Sequence, residues 1–156
     1  MKEAWKPWIR PIACCVLAAV ICLLCTAPYL WEQNPWYQVL HKPAFAPKGM
    51  GQWIAPLCAC LSMCACGIWA WRWGSWRIVY ALLTQTCLLP LWAYALLGLQ
   101  NPMAAVVLMA ANCLCALYLI LQARASNPVC LWMGLPATLA FAYLLAVSYL
   151  IYMLNP

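Results

Sequence analysis

This sequence predicts an all-α integral membrane protein, one bundle of five transmembrane helices, and three observations carry that prediction. Only 6% of the 156 residues are charged and 69% are hydrophobic, against about 25% charged in an ordinary soluble domain. The apolar residues run in blocks of about 20, the number that a helix rising about 1.5 Å per residue needs to cross roughly 30 Å of hydrocarbon. Short polar connections separate most blocks, which makes consecutive helices antiparallel neighbours. Barrel strands are excluded, because they alternate apolar and polar residues over about 10 positions and these blocks are apolar all round.

The first helix is expected over Ile12–Trp31. Lys2, Lys6 and Arg10 precede it as in a secretory signal, but the apolar run is too long for a signal core and no small-x-small motif closes it. Residues 32–51 form the long loop, marked by Pro35, Pro43, Pro47, Gly49 and Gly51. The remaining helices are expected over Gln52–Trp73, Trp76–Leu99, Pro102–Ala123 and Pro128–Leu154, with Gly74-Ser75, Gln100-Asn101 and the group from Arg124 to Asn127 between them. The chain 1–156 thus reads as a single membrane domain.

Charge sets the expected orientation. Lys2, Lys6, Arg10, Arg72, Arg77 and Arg124 fall on one side, Lys42 and Lys48 on the other, so the N-terminus is expected in the cytoplasm and the long loop outside it. The eight basic residues are too scattered for a nucleic-acid stripe despite the net charge of +6. Trp5, Trp8, Trp31, Trp36, Trp53, Trp73, Trp76 and Tyr152 mark block ends, where amphipathic rings anchor at the interface. Glu32 lies just beyond the first block and no Asp or Glu lies within any block, which argues against a pump built on buried carboxylates.

The twelve cysteines lie inside the apolar blocks, where they read as small packing residues rather than as a disulfide framework. Cys22 and Cys25 form a C-x-x-C, and Cys60 and Cys64 share a face at i,i+4, but converging tetrahedral zinc ligands are not expected there. His41, the only histidine, is a candidate haem ligand that reads more simply as a solvated loop residue. Thr84, Gln85, Thr86, Asn112, Thr138 and Ser148 are in-span polar groups expected to bond across helix interfaces at about 0.6 kcal/mol each.

Function is expected in the long loop. Pro43 and Pro47 fix φ and withhold backbone donors, which suits a stiff, non-helical lid over the bundle mouth. His41 and Lys42 offer donors to an anionic ligand edge, and Trp36, Tyr37 and Phe45 offer aromatic faces. Interface anchoring by the aromatics, and lipid-headgroup contact by Lys42, account for the same residues without a ligand.

Trp36, Tyr37, Leu40, Lys42, Pro43 and Pro47 form W-Y-x-x-L-x-K-P-x-x-x-P between the first and second of five helices. This spacing resembles the signature of the translocator protein family, the tryptophan-rich sensory proteins. Met63 and Trp71 in the second helix, Gln85 and Trp92 in the third, and Pro128 and Pro136 in the fifth continue the resemblance over about residues 30–148. Family positions are replaced at Pro56, Leu89, Ala140 and Ser148.

The resemblance implies an apolar pocket under the loop that takes a tetrapyrrole (porphyrin or haem) or a sterol such as cholesterol, for transport or sensing, with no cofactor required. On the loop side the implied ligand contacts are Trp36, Tyr37, Leu40, His41, Lys42, Pro43 and Phe45. Within the bundle they are Trp53, Gln85, Trp92, Ala140 and Leu144. Oxidative tetrapyrrole degradation is a second implied activity. It is linked in the family to tryptophans whose positions are Pro56 and Ala140 here, and Trp53 reaches a similar space at i,i+3 from Pro56. A third reading is a regulatory subunit or homodimer, packed through Ala104, Ala105, Ala111 and Ala116 of the fourth helix.

Overall fold

A computed structural model describes residues 6–31, 35–46, 51, 53–126 and 128–155. Lys2, Trp5, Glu32, Pro47, Lys48, Gly49, Gln52 and Asn127 lie outside the described residues, as do the side chains of Lys6 and Trp31. The helices are α1 (Lys6–Trp31), α2 (Pro35–Val39), α3 (Ile54–Arg72), α4 (Trp76–Ala93), α5 (Pro102–Ser126) and α6 (Pro128–Leu154). Five of them, all but α2, are long and apolar enough to cross a membrane, and no strand occurs among the described residues.

The boundaries depart from expectation where backbone chemistry overrides hydropathy. Helix α1 starts at Lys6 rather than Ile12, and Pro7 is accommodated in its first turn, where a missing N–H costs nothing. Helix α5 continues through Arg124 to Ser126, since a basic residue in the last turn suits the helix dipole. Helix α4 does not run regularly to Leu99: downstream of Pro90 it becomes a π-helical turn over Tyr94–Gly98. Asn101 N–H then bonds Ala95 C=O at 3.0 Å, around Gln100 at φ 54°, the wrap-around that closes many helix C-termini. Gly74, at φ 69°, turns α3 into α4.

The long loop is likewise not wholly non-helical. Pro35–Val39 forms α2, with proline at the first helical position, where its fixed φ is preorganised.

The helices close a ring: α1 packs on α3 and α4, α3 on α6, α6 on α5, and α5 on α4, with α3 and α4 also meeting. Small residues allow the close approaches that hold helices together in lipid. A Cβ on Gly67 would stand 3.0 Å from Cys15 Sγ, and one on Gly134 would stand 2.9 Å from Leu119 Cδ2. Ala105 and Ala116 are fully buried inside the ring, so the close-packing face expected for a partner helix is partly spent within the bundle.

A second device joins α3 to α6. Ser62 Oγ donates to Met133 C=O and accepts from Ala137 N–H at 3.2 Å, beside Pro136 within α6. A side chain inserted at the i→i−4 ladder next to a proline satisfies backbone groups that lipid cannot.

The end of the bundle away from the long loop carries an aromatic belt. Trp69 lies 6.2 Å from Trp8 and 6.0 Å from Trp73, and Trp71 lies 5.4 Å from Trp76. The Arg72 guanidinium stands 5.6 Å from the Trp8 ring, a cation–π contact.

Candidate functional site

The described part of the loop lies against the bundle end, tied to α6. Tyr37 and Ala46 are buried, and Trp36, Leu40 and Trp53 pack against the core. Lys42 Nζ stands 4.2 Å from the Tyr37 ring centroid, where the electron-rich face stabilises the ammonium. Pro43 C=O accepts Ala46 N–H at 2.9 Å, closing a turn that leaves Phe45 half exposed, 6.3 Å from the Tyr143 ring.

Two residues that sequence reasoning missed make the attachment. His41 N–H donates to Asn155 Oδ1 at 3.0 Å, and Asn155 Nδ2 donates to His41 C=O at 2.9 Å, so one amide grips both backbone groups of a loop residue. Tyr143 Oη donates to Phe45 C=O at 2.9 Å. A signal for both existed: an amide closing the last helix on the loop's side, and a tyrosine hydroxyl in an apolar span, each need a partner. His41 contributes backbone to this clamp, while its side chain is exposed.

Burial, and secondarily the nearby Tyr143, raises the Tyr37 phenol above its usual 10.0. A raised folded-state pKa leaves its stabilisation fully present below the unfolded value of about 10 and removes it as pH climbs through the folded value. The packing of Tyr37 under the loop is therefore expected to persist through neutral pH and to fail only in strong alkali. A phenolate absorbance titration checks this: the late-ionising component must vanish in Tyr37→Phe, and its survival in that variant would assign it elsewhere.

Inside the bundle Gln85, Trp92, Ala140 and Leu144 are all buried. Trp92 Nε1–H donates to Ser148 Oγ at 2.9 Å, and Ser148 donates to Leu144 C=O at 2.8 Å, which ties α4 to α6 at the residues expected to face a ligand. Gln85, two turns before Trp92, is 1% exposed, and its Oε1 has no hydrogen-bond partner among the described residues. Both amide atoms of Asn112 are equally unpartnered.

The expected bonding across helices therefore needs correction. Thr84, Thr86 and Thr138 donate to carbonyls four residues back on their own helices, since a hydroxyl in lipid reaches that acceptor at no packing cost. Among the in-span groups expected to pair across helices, Ser148 does so, and Asn112 does not. Of the cysteine spacings, Cys22 is buried while Cys25 is exposed, whereas Cys60, buried, and Cys64, half-buried, line one groove as their spacing implies.

The structure thus brings the expected residues together in two groups, Tyr37 with Lys42 on the loop and Trp92 with Ser148 and Leu144 inside. Among the described residues, grooves with free volume lie between α1, α3 and α4 and on the outer faces of α5 with α6 and of α4 with α5, lined by residues outside these two groups. Among the described residues, no group of three or more His, Cys, Asp or Glu is placed to hold a metal ion.

Fold and site together define a multi-pass helical membrane protein whose first long loop is fastened to its last helix. No family model matches the chain, and no curated protein matches it.

Proposed function

We propose that this protein binds a hydrophobic ligand of tetrapyrrole or sterol type inside the bundle, beneath the loop, for transport or sensing. The observation that carries the proposal is Gln85 Oε1, an acceptor unpaired among the described residues, on the same helix as Trp92 in a mostly apolar interior. Ligand sites combine apolar walls with a few placed polar groups, and a pyrrole N–H or a sterol O–H is the donor this oxygen lacks. The loop attachment through Asn155 and Tyr143 supports its role as the cover, and Lys42 supplies a cation suited to a propionate edge. The resemblance to the translocator proteins favours the same ligands. The charge asymmetry favours a cytoplasmic N-terminus with the loop on the opposite side.

The test is titration of the detergent-purified protein with protoporphyrin IX and with haem, followed by absorbance and tryptophan fluorescence. Saturable quenching in the wild type, weakened severalfold by Asn155→Ala and by Lys42→Ala, supports a site beneath the loop. Quenching that never saturates, or that both variants leave unchanged, removes the tetrapyrrole from this site and directs the same titration to a sterol.

A further inference from the structure

Cysteine, not tryptophan, dominates the groove between α1, α3 and α4. Cys14, Cys15, Cys22, Cys60 and Cys64 line it, and its walls are almost wholly apolar. Cys14 and Leu83, both lining residues, are exposed on the bundle's outer surface, so the groove opens sideways, toward lipid. Within it Cys22 and Cys60, from different helices and only 1% and 2% exposed, hold their sulfurs 3.9 Å apart in a thiol–thiol contact. A disulfide spans about 2.05 Å, so each sulfur has to move only about 1 Å to close one.

The geometry points to Cys22 and Cys60 as a membrane-embedded dithiol that a lipid-soluble quinone, its ring lodged in this groove, oxidises to a disulfide linking α1 to α3. Two S–H bonds break and one S–S bond forms. The two electrons and two protons pass to the quinone carbonyl oxygens, which leave as a quinol. Every species at start and finish is neutral, which decides between this chemistry and metal capture. Two thiolates around a monovalent soft cation would leave a net negative charge in hydrocarbon, a costly state without a paired cation. An oxidant from water has to cross hydrocarbon to reach the groove, whereas a quinone dissolved in the bilayer meets its lipid-facing mouth directly.

Cys66 and Cys130 supply an internal comparison. Their thiols turn toward each other's backbone carbonyls, at 3.6 Å and 3.9 Å, and so are engaged as donors. This inference does not rest on ligand binding beneath the loop, since the residues lining the groove include none of those at the loop site.

The experiment incubates the full chain in lipid nanodiscs, without oxygen, with decylubiquinone. Quinol formation is read by absorbance, and the cysteine linkages by peptide mapping after alkylation. Stoichiometric quinol and a Cys22–Cys60 linked peptide are expected, both lost in Cys22→Ala and Cys60→Ala and both retained in Cys87→Ala and Cys130→Ala. The proposal is overturned if the wild-type thiols all remain alkylatable, if the linkage maps to other cysteines, or if water-soluble diamide closes the pair while the quinone does not. Mapping of the wild type decides the matter even where a variant folds poorly.

Discussion

Replacing Gln85 with leucine is expected to stabilise the ligand-free bundle and to weaken tetrapyrrole binding about tenfold or more. The opposite signs follow from one atom. Gln85 is 1% exposed and its Oε1 is unpaired among the described residues, and such an atom costs about 1–3 kcal/mol. Leucine fills nearly the same space without that cost, so the thermal midpoint in detergent should rise. The ligand N–H or O–H that Gln85 would accept then loses its partner, and about 1.4 kcal/mol is a factor of ten in affinity. A parallel melting curve and protoporphyrin titration reads both effects. If stability rises while affinity holds, Gln85 is a core amide and the ligand lies elsewhere.

The largest loss of stability is expected from Gly134→Leu. The α5–α6 pair is the most extensive helix contact in the bundle, and a Cβ at Gly134 would stand 2.9 Å from Leu119 Cδ2. Alanine asks only that the end of the Leu119 side chain give way, whereas an isobutyl group forces the helices apart, at about 1–3 kcal/mol for overpacking. Lipid offers no compensating hydrophobic drive between helices, so close fit is what holds them. Unfolding in SDS should show a small effect for Gly134→Ala and a large one for Gly134→Leu. Leu119→Ala should recover part of the latter, because the two positions touch. Absence of any recovery in the double variant would place the strain against another neighbour.

Fold class was legible because hydrocarbon permits so few solutions. Once the chain carries blocks of about 20 apolar residues, backbone satisfaction alone demands helices, and short connections such as Gly74-Ser75 set their antiparallel order. The spans after the first accordingly appear within a few residues of where hydropathy places them, and α6 begins and ends as expected. Several departures fall at prolines, Pro7, Pro35 and Pro90, and one at the basic last turn of α5, features that hydropathy does not register.

The residues of the candidate site were legible as a set, but their arrangement was not. Trp36, Tyr37 and Lys42 stand out by spacing, yet nothing in that spacing says that Lys42 rests over the Tyr37 ring. Asn155 lies 114 residues from the His41 backbone that it clamps, and no local pattern encodes such a pairing. The cysteines make the point most sharply. The sequence-adjacent pairs Cys22/Cys25 and Cys60/Cys64 carry little, while the contact that matters joins Cys22 to Cys60 across 38 residues.

The sequence by itself therefore determined solvent, element type and order, because these follow from the free energy of each segment in lipid. Only the tertiary structure decided which polar atoms are paired. It set Ser62 into the α6 ladder, left Gln85 Oε1 without a partner, and turned two helices so that two thiols meet. Those outcomes depend on helix rotation and on distances of a few ångströms, which arise from packing all five spans at once and are written in no single segment.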